Sequence, residues 1–567
     1  MAEINQINGT KLFLDSIQAQ KSDIGIVTLY AVVIGLLYLI VPLAVQELVS
    51  IVAFGVLLQP LIILSILVMT ALFLVGLFQV VQRYIVELIQ QRLFVHNAFD
   101  MVTRIKLAPM GALGNKQINL FFEVMTLQKS YAKLLVNGLG AALQAIVGLI
   151  ILAFYHPFFI LLTTFLVIGT LSALMLGGIG GLRTSLVEST HKYELIHWLQ
   201  ELGYCNEYFK LTKGNNLVFQ KTDSINLEYI KARNKHFKIL IRQFICSFIV
   251  QVIANGSLLA LGGWLVIQGQ LTLGQLIAAE LVVASIIGGI DKVVGQADVF
   301  YDLLTSLAKL EFLKNFSKRV EEGNKDLPYK KAGIEIECRN LTFRYNDEKP
   351  SSGEIIKGLN FSTVPGERVI ISGGQGSGKR TLLNLLAGLY PSTKGTIYLD
   401  NIEIKDIKFA SLGQSVSIIK SDTNAIFEGT IAENVLLGRE EVIPLRKIID
   451  LVGLTEDVDS MTGGLKSQLA SQGANISTSQ ISRILIARGL VSAPRLLLIS
   501  HEVLSNLSEP TQEHIFDSLA TLFGFAPTII FFANNGHLDS LGKKKYILET
   551  GSLKEISNGS SNEIQAP

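Results

Sequence analysis

The sequence predicts an α-helical membrane domain of six spans, followed by an α/β domain that carries a phosphate-binding loop. Of the 567 residues, 49% are hydrophobic and only 17% are charged, and the mean hydropathy is +0.43, which is typical of membrane proteins. Six apolar runs end by residue 290, and each has about the 20 residues that a bilayer-spanning helix needs. From residue 334 onward, short apolar runs alternate with helical stretches, which indicates an α/β sheet.

The apolar runs come in pairs. Very short loops join the two runs of each pair, whereas long polar segments, Gln82–Lys133 and Arg183–Lys238, join one pair to the next. Gln82–Asp100 and Lys221–Lys238 have helix-forming composition without glycine or proline, so we expect the long segments to extend the spans as helices. The predicted spans are Ile24–Gln46, Val56–Val81, Leu134–Tyr155, Phe158–Leu182, Ile239–Gln268 and Leu271–Ile290.

Charge predicts the orientation of the spans. The long segments are rich in Lys and Arg, whereas the short loops have neither. By the positive-inside rule, the long segments, both termini and everything after residue 291 are expected in the cytoplasm, which predicts a multi-pass protein of the cytoplasmic membrane. Met1–Asp23 lacks the basic and apolar regions of a cleaved signal, so the first apolar run is expected to remain as an anchor in the lipid bilayer. The net charge of +2 argues against a nucleic-acid partner.

The second half of the chain shows where the domains are expected to divide. Apolar runs suited to buried strands begin at Ile334–Cys338 and continue to Thr528–Ala533, whereas Ser317–Lys331 is charged and contains glycine and proline. The polar residues after Gly551 predict a flexible tail. The expected segments are an N-terminal segment 1–23, a membrane domain 24–316, a linker 317–333, an α/β domain 334–551 and a tail 552–567.

The most informative motif is a glycine-rich loop at Gly373–Thr381. The segment reads Gly-Gly-Gln-Gly-Ser-Gly-Lys-Arg-Thr, with glycines at both defining positions and then Lys379. It lies between the strand-like Arg368–Ser372 and a helical stretch, where backbone N–H groups and the helix N-terminus converge on phosphates. The pattern next requires Ser or Thr, whose hydroxyl holds Mg²⁺. This chain has Arg380 at that position.

With these motifs in order, the chain resembles an ABC transporter, specifically a half-transporter of the type I exporter class. Gly429–Asn434 and Ile476–Leu490 match the segment after the family's Q-loop and its LSGGQ segment, and Gly262–Ile277 is similar to a loop of bacterial secretion exporters. The resemblance implies an ATP site, with Tyr345 stacking on adenine, although Tyr345 packing against the sheet is an equally open alternative. The implied binding residues are Tyr345, Gly373, Gly376, Ser377, Gly378, Lys379, Arg380, Thr381, Ser477 and Gln480.

The chain departs from the family at the end of its catalytic strand. The family has Asp-Glu there, for metal-water contact and general base, but this chain has Ser500, His501 and Glu502. Counting forward from Arg488 puts Ser500 and His501 in these two places. Counting back from Ser505–Ser508, which resembles the family's D-loop, puts His501 and Glu502 there. In both registers the Mg²⁺-associated Asp is missing.

Further departures affect the groups that position water and approach phosphate. Asp422 aligns with the Q-loop glutamine and Asn534 with the switch histidine, while His537 lies three residues late. Thr478 and Ser479 replace both glycines of LSGGQ, which crowds the backbone against phosphate. Without these groups, water activation and transition-state charge stabilisation are expected to fail.

Three functional hypotheses follow. The leading one is a subunit of an ABC-type exporter, working as a homodimer or heterodimer, with a polypeptide or other substrate and an optional periplasmic adaptor. It binds ATP weakly, with little dependence on Mg²⁺, and has weak or absent hydrolysis. The alternative is a non-transporting pseudo-ATPase that acts as a regulatory or scaffold subunit. The third, an active ATPase that uses displaced residues such as Glu502 and His537, is the least favoured.

Overall fold

The computed structural model describes residues 13–14, 18, 21–54, 58–108, 118–211, 215–316, 323–345, 353–422, 425–534 and 541–556. The chain divides into two compact units, Met1–Lys318 and Arg319–Pro567, here called the first and second units. The helices of the first unit are α1 Lys21–Tyr38, α2 Ile40–Phe54, α3 Leu58–Leu107, α4 Phe122–Lys133, α5 Gly140–Tyr155, α6 Pro157–Met175, α7 Gly181–Tyr204, α8 Asn206–Leu211, α9 Asn215–Ile267, α10 Leu273–Gly295 and α11 Ala297–Phe316. A 3₁₀ turn at Asn119–Phe121 precedes α4, and a π-helix at Leu134–Leu139 joins α4 to α5.

The described residues contain six helical segments long and apolar enough to cross a membrane, which confirms the number of spans. The predicted helical extensions are also confirmed, because α3 continues to Leu107 and α9 begins at Asn215. Two of the short loops end in helix N-caps that start the next span. Before α6 the His156 ring accepts from the Phe158 N–H, and before α10 Thr272 and Gln275 form a reciprocal capping box.

Two spans that were predicted as single uninterrupted helices are broken or shorter in the structure. The first is interrupted at Leu39, between α1 and α2. The fourth was expected to run to Leu182, but α6 ends at Met175 and a turn separates it from α7. In this turn Gly180 has φ 86°, and a Cβ at Gly181 would lie 2.3 Å from the Tyr301 ring. Glycine is therefore required for both the turn and the close contact, which end the helix inside an apolar stretch.

A buried ion pair links three helices of the first unit. Lys309 Nζ on α11 lies 3.2 Å from Glu123 Oε1 on α4, and the two side chains are only 4% and 1% exposed. Ser306 donates to the other carboxylate oxygen at 2.6 Å, and Ser189 on α7 donates to Glu123 Oε1 at 3.1 Å. Lys309 also donates to Ser189 and lies over the Tyr193 ring. The polar groups of the pair are thus satisfied without water.

The second unit is an α/β domain. Its strands are β1 Ile336–Phe343, β2 Ile356–Thr363, β3 Arg368–Ser372, β4 Lys394–Leu399, β5 Ile402–Glu403, β6 Val416–Ile419, β7 Gly429–Thr430, β8 Gln468–Leu469, β9 Leu496–Ser500, β10 Thr528–Phe532, β11 Lys544–Glu549 and β12 Ser552–Ile556. Its helices are α12 Lys379–Leu386, α13 Phe409–Ser415, α14 Ile431–Leu436, α15 Leu445–Leu451, α16 Thr455–Ser460, α17 Thr478–Leu490, α18 His501–Leu504 and α19 Glu509–Phe523.

The main sheet has the order β12-β11-β3-β10-β9-β6, and all of its strands except β12 run parallel. A second, antiparallel sheet has the order β2-β1-β4-β5. Side chains of the central strands alternate between two hydrophobic cores, with Ile370 and Phe531 in one and Val369 and Ile530 in the other. Because both faces are buried, these strands read as continuous apolar runs in the sequence. The carboxyl ends of β3, β10 and β9 are neighbours at one edge.

Two predicted boundaries of the α/β domain need correction. The tail was expected from residue 552, but Ser552–Ile556 forms β12, paired antiparallel with β11; the remainder lies outside the described residues. The linker was expected to extend to residue 333, but its last residues pack on the second unit. The buried Arg495 guanidinium, bound to Asp400 at 2.6 Å, also donates to the carbonyl oxygens of Pro328, Ala332 and Gly333.

Candidate nucleotide site

The glycine-rich loop joins β3 to α12, as the sequence predicted. Gly376 and Gly378 have φ values of 80° and 103°, a left-handed conformation that side chains disfavour. A Cβ added at Gly374 or Gly376 would have no heavy atom within 4 Å, so this part of the loop faces open space. A phosphate can therefore approach the backbone N–H groups and the N-terminus of α12 closely.

The polar side chains of the loop are arranged around this space. Lys379 Nζ donates to the Gly373 carbonyl oxygen and, at 2.9 Å, to that of Gly374. Burial lowers the pKa of the Lys379 ammonium, and the Glu502 carboxylate partly offsets this effect. Ser377 Oγ is buried and has no hydrogen-bond partner among the described residues. A phosphate oxygen at the loop would supply the missing partner.

A cavity of about 780 Å³ collects most of the residues that the sequence singled out. Besides the loop, its wall includes residues at the ends of β9 and β10 and Tyr345, which follows β1. Lys420, directly after β6, also lines it and was not singled out; its position at the carboxyl end of a predicted strand was the available signal. The predicted residues on the wall are Tyr345, Gly373, Gly376, Ser377, Gly378, Lys379, Arg380, Thr381, Ser500, His501, Glu502 and Asn534.

Arg380, at the position of the metal-ligand hydroxyl, forms an ion pair with Asp422. Its guanidinium donates to Asp422 Oδ1 at 2.5 Å and to the Ser421 carbonyl oxygen at 3.3 Å. Lys420 Nζ lies 2.9 Å from the other oxygen of the same carboxylate. The departures at residues 380 and 422 are therefore coupled, because each side chain is the partner of the other. Both remain substantially exposed, at 61% and 41%, so the pair adds little stability.

The strand that should supply the catalytic carboxylates ends at Ser500. Ser500 is the last residue of β9, opposite Phe532 in β10, and His501 begins α18 directly after it. Ser500 Oγ donates to Glu502 Oε2, so the exposed Glu502 carboxylate turns back toward the strand end. Asn534 is exposed just after β10. His537 lies outside the described residues.

Tyr345 both packs against the sheet and lines the cavity. Its ring meets Phe343 and Tyr390 edge-on, with centroids 4.9 and 5.6 Å apart. Its hydroxyl is hydrogen-bonded to Thr381 Oγ1 at 2.9 Å. Thr381 is buried, so in this arrangement its hydroxyl serves Tyr345.

Ser477 and Gln480 are away from this cavity, at the N-terminus of α17. The Gln480 N–H donates to Ser477 Oγ at 3.2 Å, and the Ser477 N–H donates to Gln480 Oε1 at 2.8 Å. Gln480 Nε2 also donates to Asp457 Oδ1 at 2.8 Å. Within one chain, these two residues form a capping box, which satisfies backbone donors that a helix start otherwise leaves unpaired.

Replacing Ser477 by alanine is expected to weaken the start of α17, because a lost N-cap costs about 0.5–2 kcal/mol. Hydrogen–deuterium exchange of the full chain should show faster exchange at Thr478–Ile481. Ser479→Ala is the matched control, since Ser479 lies inside the helix and makes no capping bond. Equal exchange in Ser477→Ala and Ser479→Ala would show that the cap does not hold this segment.

Comparison with known proteins also indicates an ABC transporter. Residues 356–500 match the family model described as ABC transporter. The transport/processing ATP-binding protein ComA of Streptococcus pneumoniae serotype 4 is 27% identical over 356 residues, which are 62% of this chain and 48% of ComA. The lactococcin-A transport/processing ATP-binding protein LcnC of Lactococcus lactis subsp. lactis is 28% identical over 364 residues, 64% of this chain and 49% of LcnC. The chain thus spans about half the length of these two relatives.

A solved structure shares the fold over nearly the whole chain. It is described as a bacterial Atm1-family ABC exporter with ATP bound, and it matches with a TM-score of 0.76 and 19% identity. The match covers 95% of this chain and 94% of that one. The matched residues 356–500, the six spans and the shared fold support an ABC half-transporter, in which a membrane domain is fused to an ABC nucleotide-binding domain.

Proposed function

We propose that this chain is one subunit of an ABC-type exporter in the cytoplasmic membrane, that it works in a homodimer or heterodimer, and that its own ATP hydrolysis is weak or absent. The exporter role rests on the six spans joined to an ABC-type domain, and the weak or absent hydrolysis rests on the Arg380–Asp422 ion pair. The Arg380 side chain places a cation where the family needs a metal ligand. The glycine-rich loop still has the left-handed glycines that let phosphate approach its backbone.

The cavity is suited to ATP. Its volume of about 780 Å³ is within the range of small-molecule sites. Gly374 and Gly376 leave the backbone open to phosphate. Ser377 Oγ has no hydrogen-bond partner among the described residues, so a phosphate oxygen can bind it. Tyr345 on the wall offers a ring edge or face to an adenine. Binding is expected to be weak, because Lys379 must first leave the carbonyl oxygens that it now contacts.

The residues present do not suit Mg²⁺. The metal-ligand hydroxyl is replaced by the Arg380 guanidinium, whose positive charge repels a divalent cation. The Asp422 carboxylate is already neutralised by Arg380 and Lys420. The Arg380 guanidinium is a suitable donor to phosphate oxygens and would supply part of the missing positive charge.

The end of β9 also argues against hydrolysis. Since β9 ends at Ser500 and His501 follows directly, the geometry favours the register in which these two residues take the places of the family's Asp and Glu. Neither is a carboxylate. Glu502 lies on the cavity wall and accepts a hydrogen bond from Ser500, so this carboxylate is already engaged by the strand end.

In this family, each composite site joins one chain's phosphate loop to the LSGGQ segment of the other chain. This chain is altered in both parts, so a homodimer would have two altered sites. With an intact partner, one site would combine Arg380, Ser500 and Asn534 with a good LSGGQ segment. The other would combine good catalytic residues with Ser477–Gln480 of this chain. Slow turnover is expected only at the second site.

A polypeptide is the proposed substrate class. The support comes from the relatives, of which one is named for transport and processing of lactococcin-A. The Gly262–Ile277 segment, similar to a loop of secretion exporters, adds to it. A periplasmic adaptor and the placement of both termini and the second unit in the cytoplasm are parts of this proposal.

A non-transporting scaffold remains the second candidate. It is favoured by the same coupled replacement of Arg380 and Asp422, because an ion pair in place of a metal ligand suits a site kept for its structure rather than its turnover.

Affinity purification of the tagged full chain from its native membrane tests the proposal. We expect an equimolar complex with an ABC half-transporter or with a second copy of this chain, and ATP-dependent export that requires it. A chain that stays monomeric, or whose deletion leaves export by its ABC partner unchanged, would contradict the export role and favour the scaffold.

A further inference from the structure

The first unit contains a second cavity, of about 290 Å³, which is enclosed by four of its helical segments. It is lined by α1, by α3, by the π-helix with the start of α5, and by α10. The contributing side chains are unusually polar for a membrane segment. Polar residues inside spanning helices generally face a cavity or a partner and mark functional sites.

The charges on this wall are all positive. Arg83 on α3 and Lys292 on α10 both line the cavity, and no acidic residue does. Among the described residues, neither cation has an ion-pair partner. Asp291, next to Lys292, is directed toward α9 instead, where it accepts a hydrogen bond from Gln251 at 2.5 Å. Both side chains are exposed, so an anion can reach them, and two cations on one cavity wall without a counter-ion favour an anion there.

The cavity also holds hydrogen-bond donors that have no acceptor. Gln82 is only 4% exposed, and its Nε2 has no partner among the described residues. Tyr38 Oη already accepts from Gln79 Nε2 at 3.1 Å, so its own hydrogen is available to a further acceptor. A buried donor left unpaired is costly, and native structures rarely keep one without a purpose.

The backbone is irregular at the same place. The π-helix at Leu134–Leu139 widens the third span, and Asn137 within it contributes to the wall. Single π turns inside α-helices occur frequently at functional sites. In a membrane segment, such departures from the regular helix are tolerated where they border a cavity.

We propose that this cavity is a binding site for a phosphate group, provided either by an anionic phospholipid or by free phosphate. The Arg83 guanidinium and Lys292 ammonium neutralise its charge, and the Gln82 amide and the Tyr38 hydroxyl donate to its oxygens. Phosphate oxygens are the hydrogen-bond acceptors that these donors do not find among the described residues. All of the side chains named for this site come from one chain, so binding can be tested without ATP and without a partner.

Binding is measured on the detergent-purified full chain, without nucleotide, by native mass spectrometry and thermal unfolding. The probes are dioctanoyl phosphatidylglycerol, dioctanoyl phosphatidylcholine and potassium phosphate at matched ionic strength. We expect phosphatidylglycerol or free phosphate to bind the wild-type chain, and the Arg83→Gln/Lys292→Gln variant to bind it at least about tenfold more weakly, because it loses two charge-assisted hydrogen bonds. Lys129→Gln, which removes an exposed cation outside the cavity, should bind as the wild type does.

The probes distinguish the source of the phosphate. Stabilisation by potassium phosphate alone would identify free phosphate, and binding of phosphatidylglycerol alone would identify a lipid. If the double variant does not fold, Gln82→Leu replaces it: this variant should unfold at a higher temperature than the wild type without ligand, and bind the probe more weakly. The proposal is overturned if neither probe binds, if phosphatidylcholine binds equally well, or if the cavity variants bind as tightly as Lys129→Gln.

Discussion

The purified chain is expected to hydrolyse ATP no faster than its own Lys379→Ala variant. Losing a general base or a charge stabiliser typically costs about 10²–10⁴ in rate, and in the proposed register Ser500 and His501 take the places of both carboxylates. With Arg380 bound to Asp422, the metal cannot compensate. Phosphate release, measured with and without Mg²⁺, should therefore be the same for the wild type and for Lys379→Ala.

Pairing with an intact ABC subunit should change the rate of ATP hydrolysis. Lys379 of this chain should still not be needed for it. In a heterodimer, turnover is expected to survive Lys379→Ala in this chain and to vanish when the partner's catalytic glutamate is replaced. Mg²⁺-dependent turnover by the chain alone, lost in both Lys379→Ala and Glu502→Gln, would instead show that displaced residues form an active site. Turnover of the heterodimer that depends on Lys379 rather than on the partner's glutamate would also contradict the account.

Replacing Lys309 by methionine is expected to destabilise the first unit by about 3–5 kcal/mol, because it leaves the Glu123 carboxylate buried without a counter-charge. Glu123 would keep only the hydrogen bonds from Ser306 and Ser189. Unfolding in detergent, followed by denaturant titration, measures the loss. The double variant Glu123→Gln/Lys309→Met should recover part of it, since the uncompensated charge is gone.

Lys231→Met is the matched control for this experiment. Lys231 also pairs with a carboxylate, Glu228 at 2.7 Å, but both side chains are more than half exposed. Exposed pairs contribute little, so this substitution should leave the unfolding midpoint unchanged. Equal effects of Lys309→Met and Lys231→Met would mean that burial of the Glu123–Lys309 pair does not matter to the first unit.

The sequence was sufficient for the elements whose signals are local. Span length and composition identified six spans, and a buried parallel strand such as Arg368–Ser372 appears as a short apolar run. The end of the fourth span was missed, because its residues remain apolar through Leu182 while the turn depends on a contact with Tyr301, more than a hundred residues away. Strand β2 gives no continuous apolar run in the sequence, because its buried residues alternate with exposed polar ones and it contains Gly358.

The features of the nucleotide site that the sequence did not predict depend on contacts between residues far apart in the chain. Arg380 and Asp422 were each recognised as departures, but nothing in the local sequence shows that one binds the other across 42 positions. Lys420 follows a predicted strand, but its place on the cavity wall depends on how the carboxyl ends of β3, β9 and β6 are assembled. The cavity of the first unit that is lined by cations has the same origin, because Arg83 and Lys292 come from different helices.

The most direct test of the central claim is the affinity of the wild-type chain for ATP in Mg²⁺ and in EDTA. We expect the two dissociation constants to agree closely, because Arg380 and not a metal ion meets the phosphates. The Arg380→Ser variant, which restores a hydroxyl and leaves Asp422 paired with Lys420 alone, should bind more tightly in Mg²⁺ than in EDTA. A strong Mg²⁺ requirement in the wild-type chain would contradict the claim that an ion pair has replaced the metal ligand.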